Sequence, residues 1–212
     1  MAGVKRRERA AATQGQLLDA AREVFAERGY AAASVTAITD AATIAHGTFY
    51  LHFRNKEDVF AQLMATAMDE LYRETLTELD PETLLYNPNV AHDRVRGFLE
   101  VAEREGRLWR ALLEAILVSP AVEATWLDLR SKFTGALAER LRISQSRGEF
   151  RDLDADLSAS LLAGMLEWCV FMCASFGVPG PLAASDKMVD TVASLWASAV
   201  DIGGRHGRPA SA

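Results

Sequence analysis

Apolar residues along this 212-residue chain recur at three- and four-residue steps almost from end to end. No Val/Ile/Thr-rich run alternates with period two between turn residues. That spacing lines one face of a helix rather than one face of a strand, so the expected fold class is all-α. Half the residues are apolar and a quarter are charged, enough for a sizeable core and unlike collagen-like, disordered or disulfide-scaffold chains. Cys169 and Cys173 sit four apart in an apolar stretch and read as small buried hydrophobes in a reducing cytosol. The histidines, His46, His52, His92 and His206, are scattered elsewhere, so neither a metal site nor a cofactor is expected. The basic start lacks the uninterrupted apolar core of a secretory signal. The most apolar run, Leu161 to Val178, has Glu167 at its centre and is closed by Gly177, Pro179, Gly180 and Pro181, which favours a buried helix over a membrane span. The expectation is a cytoplasmic protein with no membrane partner.

The first clear helix follows Thr13, with Leu17, Leu18, Ala21, Val24 and Phe25 on one face, and Gly29 ends it so that Tyr30 folds back onto that face. A second, short helix starts at the N-cap Ser34 and carries Val35, Ile38, Ala41 and Ala42 before a break at Thr43-Ile44-Ala45. A third covers His46 to His52. Asn55 then caps a longer helix with the stripe Val59, Leu63, Ala67 and Leu71, and Asp58 is placed to return the capping hydrogen bond. After a polar connection from Asp80-Pro81 to about Asn89, helices are expected near 91–105, 107–118, 121–147, 154–176 and 185–202. Pro120, Gly148 and the Gly-Val-Pro-Gly-Pro run at 177–181 separate them. The division is a basic flexible arm (1–12), a helix-turn-helix domain (13–60), a larger helical domain (61–202) and a flexible tail (203–212).

Two short helices joined by a tight turn and buttressed by amphipathic helices form the pattern that sets one helix into the DNA major groove. In the second of them Phe49 and Phe53 make the inward ridge. His46, Gly47, Thr48, Tyr50, Leu51 and His52 lie nearer the outer faces. Leu51 suits a thymine methyl, and His46 and Thr48 suit base edges. Tyr50 and His52 are donors for phosphate oxygens, Lys56 adds positive charge, and Ser34 and Thr36 offer end-on phosphate contacts from the preceding helix. On periodicity alone, such a helix is more often ordinary packing than a DNA reader.

Three blocks add specificity. Ala-Ala-Arg-Glu-Val-Phe-Ala-Glu-Arg-Gly-Tyr, then Ser-Val-Thr-Ala-Ile, then Gly-Thr-Phe-Tyr-Leu-His-Phe-Arg-Asn-Lys-Glu-Asp-Val, all within Leu17 to Val59, resemble the DNA-binding domain of the tetracycline-repressor (TetR) family. The resemblance implies an all-helical homodimer of about nine helices whose members are mostly repressors of pseudo-palindromic operators. It carries base reading onto His46, Gly47, Thr48 and Leu51, and phosphate contacts onto Thr36, Tyr50, His52 and Lys56. The chain departs from the family where Ala42-Thr43-Ile44-Ala45 stands for Ala-Gly-Val-Ser and Ile38-Thr39 for Ile-Ala. A left-handed β-branched Thr43 is strained by about 1–2 kcal/mol, so the turn is either strained or rearranged. Ala45 lacks the capping oxygen of serine, a loss of about 1 kcal/mol.

Charge is uneven: residues 1–60 carry a net +1 and residues 61–212 a net −7, while residues 10–60 alone sum to −2. Affinity for DNA must therefore come from local contacts, with Lys5, Arg6, Arg7 and Arg9 as a supplementary arm, disordered when free, that follows phosphates or enters the minor groove. In the larger domain the resemblance implies a cavity for a small, mostly apolar or aromatic ligand, for which Trp109, Leu113, Trp126, Phe133, Met165, Trp168, Cys169 and Met172 are candidates. Glu167 can orient a cation or hydroxyl there or simply occupy an edge. The resemblance also implies that the last two helices pair with their symmetry mates as a four-helix bundle, here through Leu166, Val170, Val192, Leu195, Trp196 and Ala199.

Against an enzyme, the chain has no glycine-rich phosphate loop, nucleophile elbow or metal-spaced ligand set. The reading is a sequence-specific regulator released from double-stranded DNA by a ligand. The alternative is a helical small-molecule-binding protein whose reader has decayed at Thr43 and Ala45.

Overall fold

The computed structural model describes residues 2–76, 88–148, 152–172 and 186–200, and among them every regular element is helical. Nine helices follow in order: α1 (Ala2–Ala32), α2 (Val35–Ala42), α3 (His46–Phe49), α4 (Lys56–Leu76), α5 (Pro88–Arg104), α6 (Gly106–Val118), α7 (Pro120–Ser146), α8 (Ala155–Val170) and α9 (Asp186–Val200). The expected connection before Asn89, the proline-rich break at 177–181, Cys173 and the tail lie wholly or largely outside the described residues.

α1 begins well before Thr13, so Lys5, Arg6, Arg7 and Arg9 sit on an exposed helical extension, where the sequence reading has a disordered arm. Gly29 interrupts it with φ 75° and ψ 175°, a backbone region open essentially to glycine alone. The break turns Tyr30 back into the core, stacked on Phe25 with ring centroids 5.9 Å apart and edge-on to Phe60 at 4.9 Å. Beyond it, Ser34 caps α2 by accepting the Ala37 N–H at 3.1 Å. Asn55 accepts the Asp58 N–H at 2.8 Å, but the returning bond falls one residue early, on the Arg54 N–H at 3.0 Å.

The stripe Val59, Leu63, Ala67 and Leu71 of α4 is buried together with Leu17, Phe25, Ile38, Phe49 and Phe53. α1 lies along α6, and α4 packs on α5 and α7. These contacts join the first three helices to the larger helical array. α8 rests on α7 and α5, whereas α9 rests chiefly on α5, with Arg96 on Asp186 at 2.7 Å and His92 Nε2 at 3.0 Å from Asp190. Among the described residues α9 is not a close neighbour of α8. Pro120 opens α7 at its first turn, where its missing N–H has no intrahelical role, and Gly148 (φ 71°) follows its end. No helix among the described residues is long and apolar enough to cross a membrane.

Candidate nucleic-acid interface

The turn between α2 and α3 decides where the reader points. Thr43 occupies the left-handed region at φ 54°, ψ 39°. Its N–H donates to Asp40 O at 3.1 Å, and the Ile44 N–H donates to Thr39 O at 3.0 Å. The turn is therefore the left-handed C-cap that a glycine would make, kept in spite of the β-branched side chain. Ala45 precedes α3 with no side-chain cap. The second departure is absorbed quietly: Thr39 is buried, and its hydroxyl donates to Thr36 O at 3.0 Å.

α3 is shorter than the seven residues expected, because after Phe49 the chain continues in tighter turns. The His52 and Phe53 N–H groups both reach Phe49 O at 2.9 Å. Phe49 and Phe53 are buried as the inward ridge, with centroids 5.4 Å apart. On the other side Leu51 is 80% exposed and Tyr50 53% exposed, both carried outward by the anchored phenylalanines. His46, Gly47, Ser34 and Thr36 are also exposed, and Thr48 and His52 are half-buried. The His46 ring meets Tyr50 edge-on at 5.4 Å.

Lys56 is placed differently from the sequence expectation. Its Nζ donates to Tyr30 O at 2.9 Å and Ala33 O at 3.2 Å and lies 4.3 Å from the centre of the Tyr30 ring. Two of its three donors thus tie α4 to the end of α1. Arg54, which the sequence reading quoted without assigning a role, is the exposed cation beside the reader. It is paired with Asp58 at 3.2 Å, and the Arg54 backbone N–H and guanidinium hold the Asp58 carboxyl below its ordinary range.

A second tie reaches the same segment from the larger domain. The Glu114 carboxylate of α6 accepts the Tyr30 N–H at 2.9 Å and the Ala31 N–H at 3.3 Å. A Cβ on Gly29 would stand 2.6 Å from it. Arg22 pairs with Glu105 at the start of α6, and Arg104 with Glu70 at 2.6 Å. Glu114 carried no sequence signal, since its partners are backbone groups 83 and 84 residues away.

Deeper in the larger domain a cavity of ≈ 20 Å³ is lined by Met68, Leu71, Tyr72, Phe98, Trp109, Trp126, Glu167, Val170 and Phe171. Of the candidate ligand contacts, Trp109 and Trp126 line it. Phe133 stands behind Tyr72, stacked at 3.9 Å, and Leu113, Met165, Cys169 and Met172 are wholly or partly buried without lining it. Trp168 is 64% exposed and faces away. Glu167 is not free to orient a ligand cation: both its oxygens lie 3.0 Å from Arg130 Nε. Burial pushes its carboxyl up, against the pull of Arg130. Tyr72, one position past the stripe residue Leu71, was not among the candidates.

The dimerisation candidates need a parallel correction. Leu166, Val170, Val192 and Trp196 are buried within the chain's own core, and only Leu195, 55% exposed, faces out. The Ala199 side chain lies outside the described residues. α8 is apolar on two faces, and periodicity alone does not tell which one the chain itself covers. The uncovered face is Leu157, Leu161 (67% exposed) and Trp168.

Comparison with known proteins follows the same division. Residues 17–63 match the family described as "Bacterial regulatory proteins, tetR family", and residues 91–201 match "Transcriptional regulator EthR, C-terminal domain". The chain is 26% identical over 151 residues, 71% of its length and 76% of the relative's, to the HTH-type transcriptional regulator UidR of Escherichia coli (strain K12). It is 28% identical over 156 residues, 72% of its length and 74% of the relative's, to the HTH-type transcriptional repressor AcnR of Corynebacterium glutamicum. The solved structure of Salmonella enterica GusR superposes with a TM-score of 0.73 at 18% identity, covering 89% of this chain and 95% of that one. With an exposed helix-turn-helix at one end, and a match over more than half its length at the other, the chain belongs to the TetR family of DNA-binding transcriptional regulators.

Proposed function

We propose that the protein is a ligand-released repressor that binds a pseudo-palindromic operator as a homodimer. The observation that carries this reading is Leu51: 80% exposed at the tip of a segment whose Phe49 and Phe53 are locked in the core, it is presented outward by rigid packing and serves nothing inside the fold. In this reading His46, Gly47, Thr48 and Leu51 meet base edges. Ser34, Thr36, Tyr50 and His52 meet phosphates, while Lys56 chiefly fixes the frame. The basic extension of α1 adds sequence-independent attraction. AcnR is named a repressor, which supports the sign of regulation. The glycine-like turn kept at Thr43 supports a working reader over a decayed one.

Release follows from linkage. A ligand that fits only the arrangement in which the two readers are wrongly spaced must weaken DNA affinity by the same free energy by which DNA weakens ligand affinity. Titrating a pool of random-core duplexes at two salt concentrations tests the first half. A sequence-selected, steeply salt-dependent fraction is expected. Leu51→Ala and His46→Ala are expected to change preference at particular base pairs, whereas Tyr50→Phe weakens all sequences alike. A pool that shows no enrichment rejects the regulator. A compound screen on the selected operator tests the second half, and an operator complex that no compound releases rejects the repressor-release cycle.

A further inference from the structure

The cavity beneath α4 has a chemical polarity that narrows its occupant. Buried polar atoms in folded proteins almost always have a hydrogen-bond partner, so each exception points to a missing one. Tyr72 Oη and Trp109 Nε1 are both buried without a partner, and both side chains line this cavity. The indole N–H only donates, and a phenol donates readily. Among the described residues, the other buried polar side-chain atoms without a partner, on Tyr30 and Trp196, belong to residues outside the lining.

The charged groups at the cavity are already satisfied by each other. Arg130 Nε lies 3.0 Å from both Glu167 oxygens, its Nη1 donates to Ser160 Oγ at 3.2 Å and its Nη2 to Ser160 O at 3.2 Å. A ligand carboxylate would meet Glu167 with no uncommitted cation among the lining residues, and a ligand cation would compete with Arg130. The rest of the wall is Met68, Leu71, Phe98, Trp126, Val170 and Phe171. At ≈ 20 Å³ the space holds about one water, and the flexible Met68 is the wall member best suited to give way to something larger.

Resting on the ligand-release reading above, we propose that this cavity takes a neutral, mostly apolar molecule carrying one hydrogen-bond acceptor, a carbonyl or ether oxygen, held by the Trp109 N–H and the Tyr72 hydroxyl. The acceptor supplies the partner that the two donors lack, and the apolar body displaces the wall.

Three probes of nearly one shape separate the possibilities: 4-phenyl-2-butanone, butylbenzene and 3-phenylpropanoate, titrated calorimetrically into the full-length protein, its Tyr72→Phe variant and its Trp109→Phe variant. The ketone is expected to bind about 5- to 30-fold more tightly than the hydrocarbon, the range of one or two net hydrogen bonds. Either variant is expected to shrink that preference while leaving butylbenzene affinity unchanged, and the carboxylate to bind most weakly. Equal affinity for ketone and hydrocarbon overturns the inference but leaves a ligand-binding domain standing. A preference that survives in both variants overturns the residue assignment, and a carboxylate that matches the ketone overturns neutrality. Failure of all three to bind also overturns it, whereas the release cycle itself is judged separately by the operator screen.

Discussion

Thr43 holds a left-handed backbone, φ 54°, that its branched side chain resists. That conformation costs about 1–2 kcal/mol relative to glycine, and glycine would return about 0.4–1 kcal/mol of it through the freer unfolded chain. Thr43→Gly is therefore expected to stabilise the protein by about 0.5–1 kcal/mol. Ala45→Ser, at a position already extended (φ −57°, ψ 134°) and without a side-chain cap, adds about 1 kcal/mol. Thermal unfolding of both variants and of the pair checks this, and a lowered midpoint for Thr43→Gly shows that the threonine side chain makes a compensating contact. The sequence was enough to mark both residues as departures. It could not decide between strain and rearrangement at Thr43, because that choice belongs to the Ile44 N–H on Thr39 O and to the buried Ile38 behind it.

Between elements, the short stretch from Gly29 to Ala33 is gripped from two sides: Glu114 of α6 takes its N–H groups, and Lys56 of α4 takes its carbonyls. These hydrogen bonds tie both α6 and α4 to the end of α1, next to the helix-turn-helix. Glu114→Ala is expected to cost about 1–3 kcal/mol by leaving the Tyr30 N–H without its charged acceptor, and Glu114→Gln, which keeps an acceptor oxygen, to recover most of that. Gly29→Ala costs about 2–3 kcal/mol, since a side chain there meets both a glycine-only backbone and the carboxylate. Denaturant unfolding measures these losses. If Glu114→Ala is as stable as the parent, the grip is incidental. The helices themselves were legible because their signals are local: Ser34, Asn55, Pro120 and Gly148 mark boundaries that the structure reproduces within a few residues. The start of α1 was not, since a basic run reads equally well as a solvated helix or a free arm. Which face of α8 turns inward was also illegible, because two faces carry the same apolar period.

At the scale of the whole molecule, the apolar face left uncovered is the candidate contact between the protomers of the proposed homodimer. Leu157, Leu161 and Trp168 follow one another along the outside of α8, and Leu195 is exposed on α9. Three exposed apolar residues on one helix face make a patch of the kind that marks an interface. Pairing of this face about a twofold axis places each patch against its own copy. A stable homodimer of this kind buries about 1,200–2,000 Å² in total. Leu161→Glu and Trp168→Glu are expected to give folded monomers of 23.2 kDa by sedimentation or light scattering. Operator affinity should fall by about 10²–10⁴-fold, because the second reader is no longer tethered to the first. Trp196→Glu discriminates between the two faces of the bundle. Buried at 4% exposure in the chain's own core, it is expected to lower the unfolding midpoint steeply rather than yield a folded monomer. Folded dimers from both α8 variants would place the twofold contact elsewhere, and a folded, monomeric Trp196→Glu would return it to the inner face.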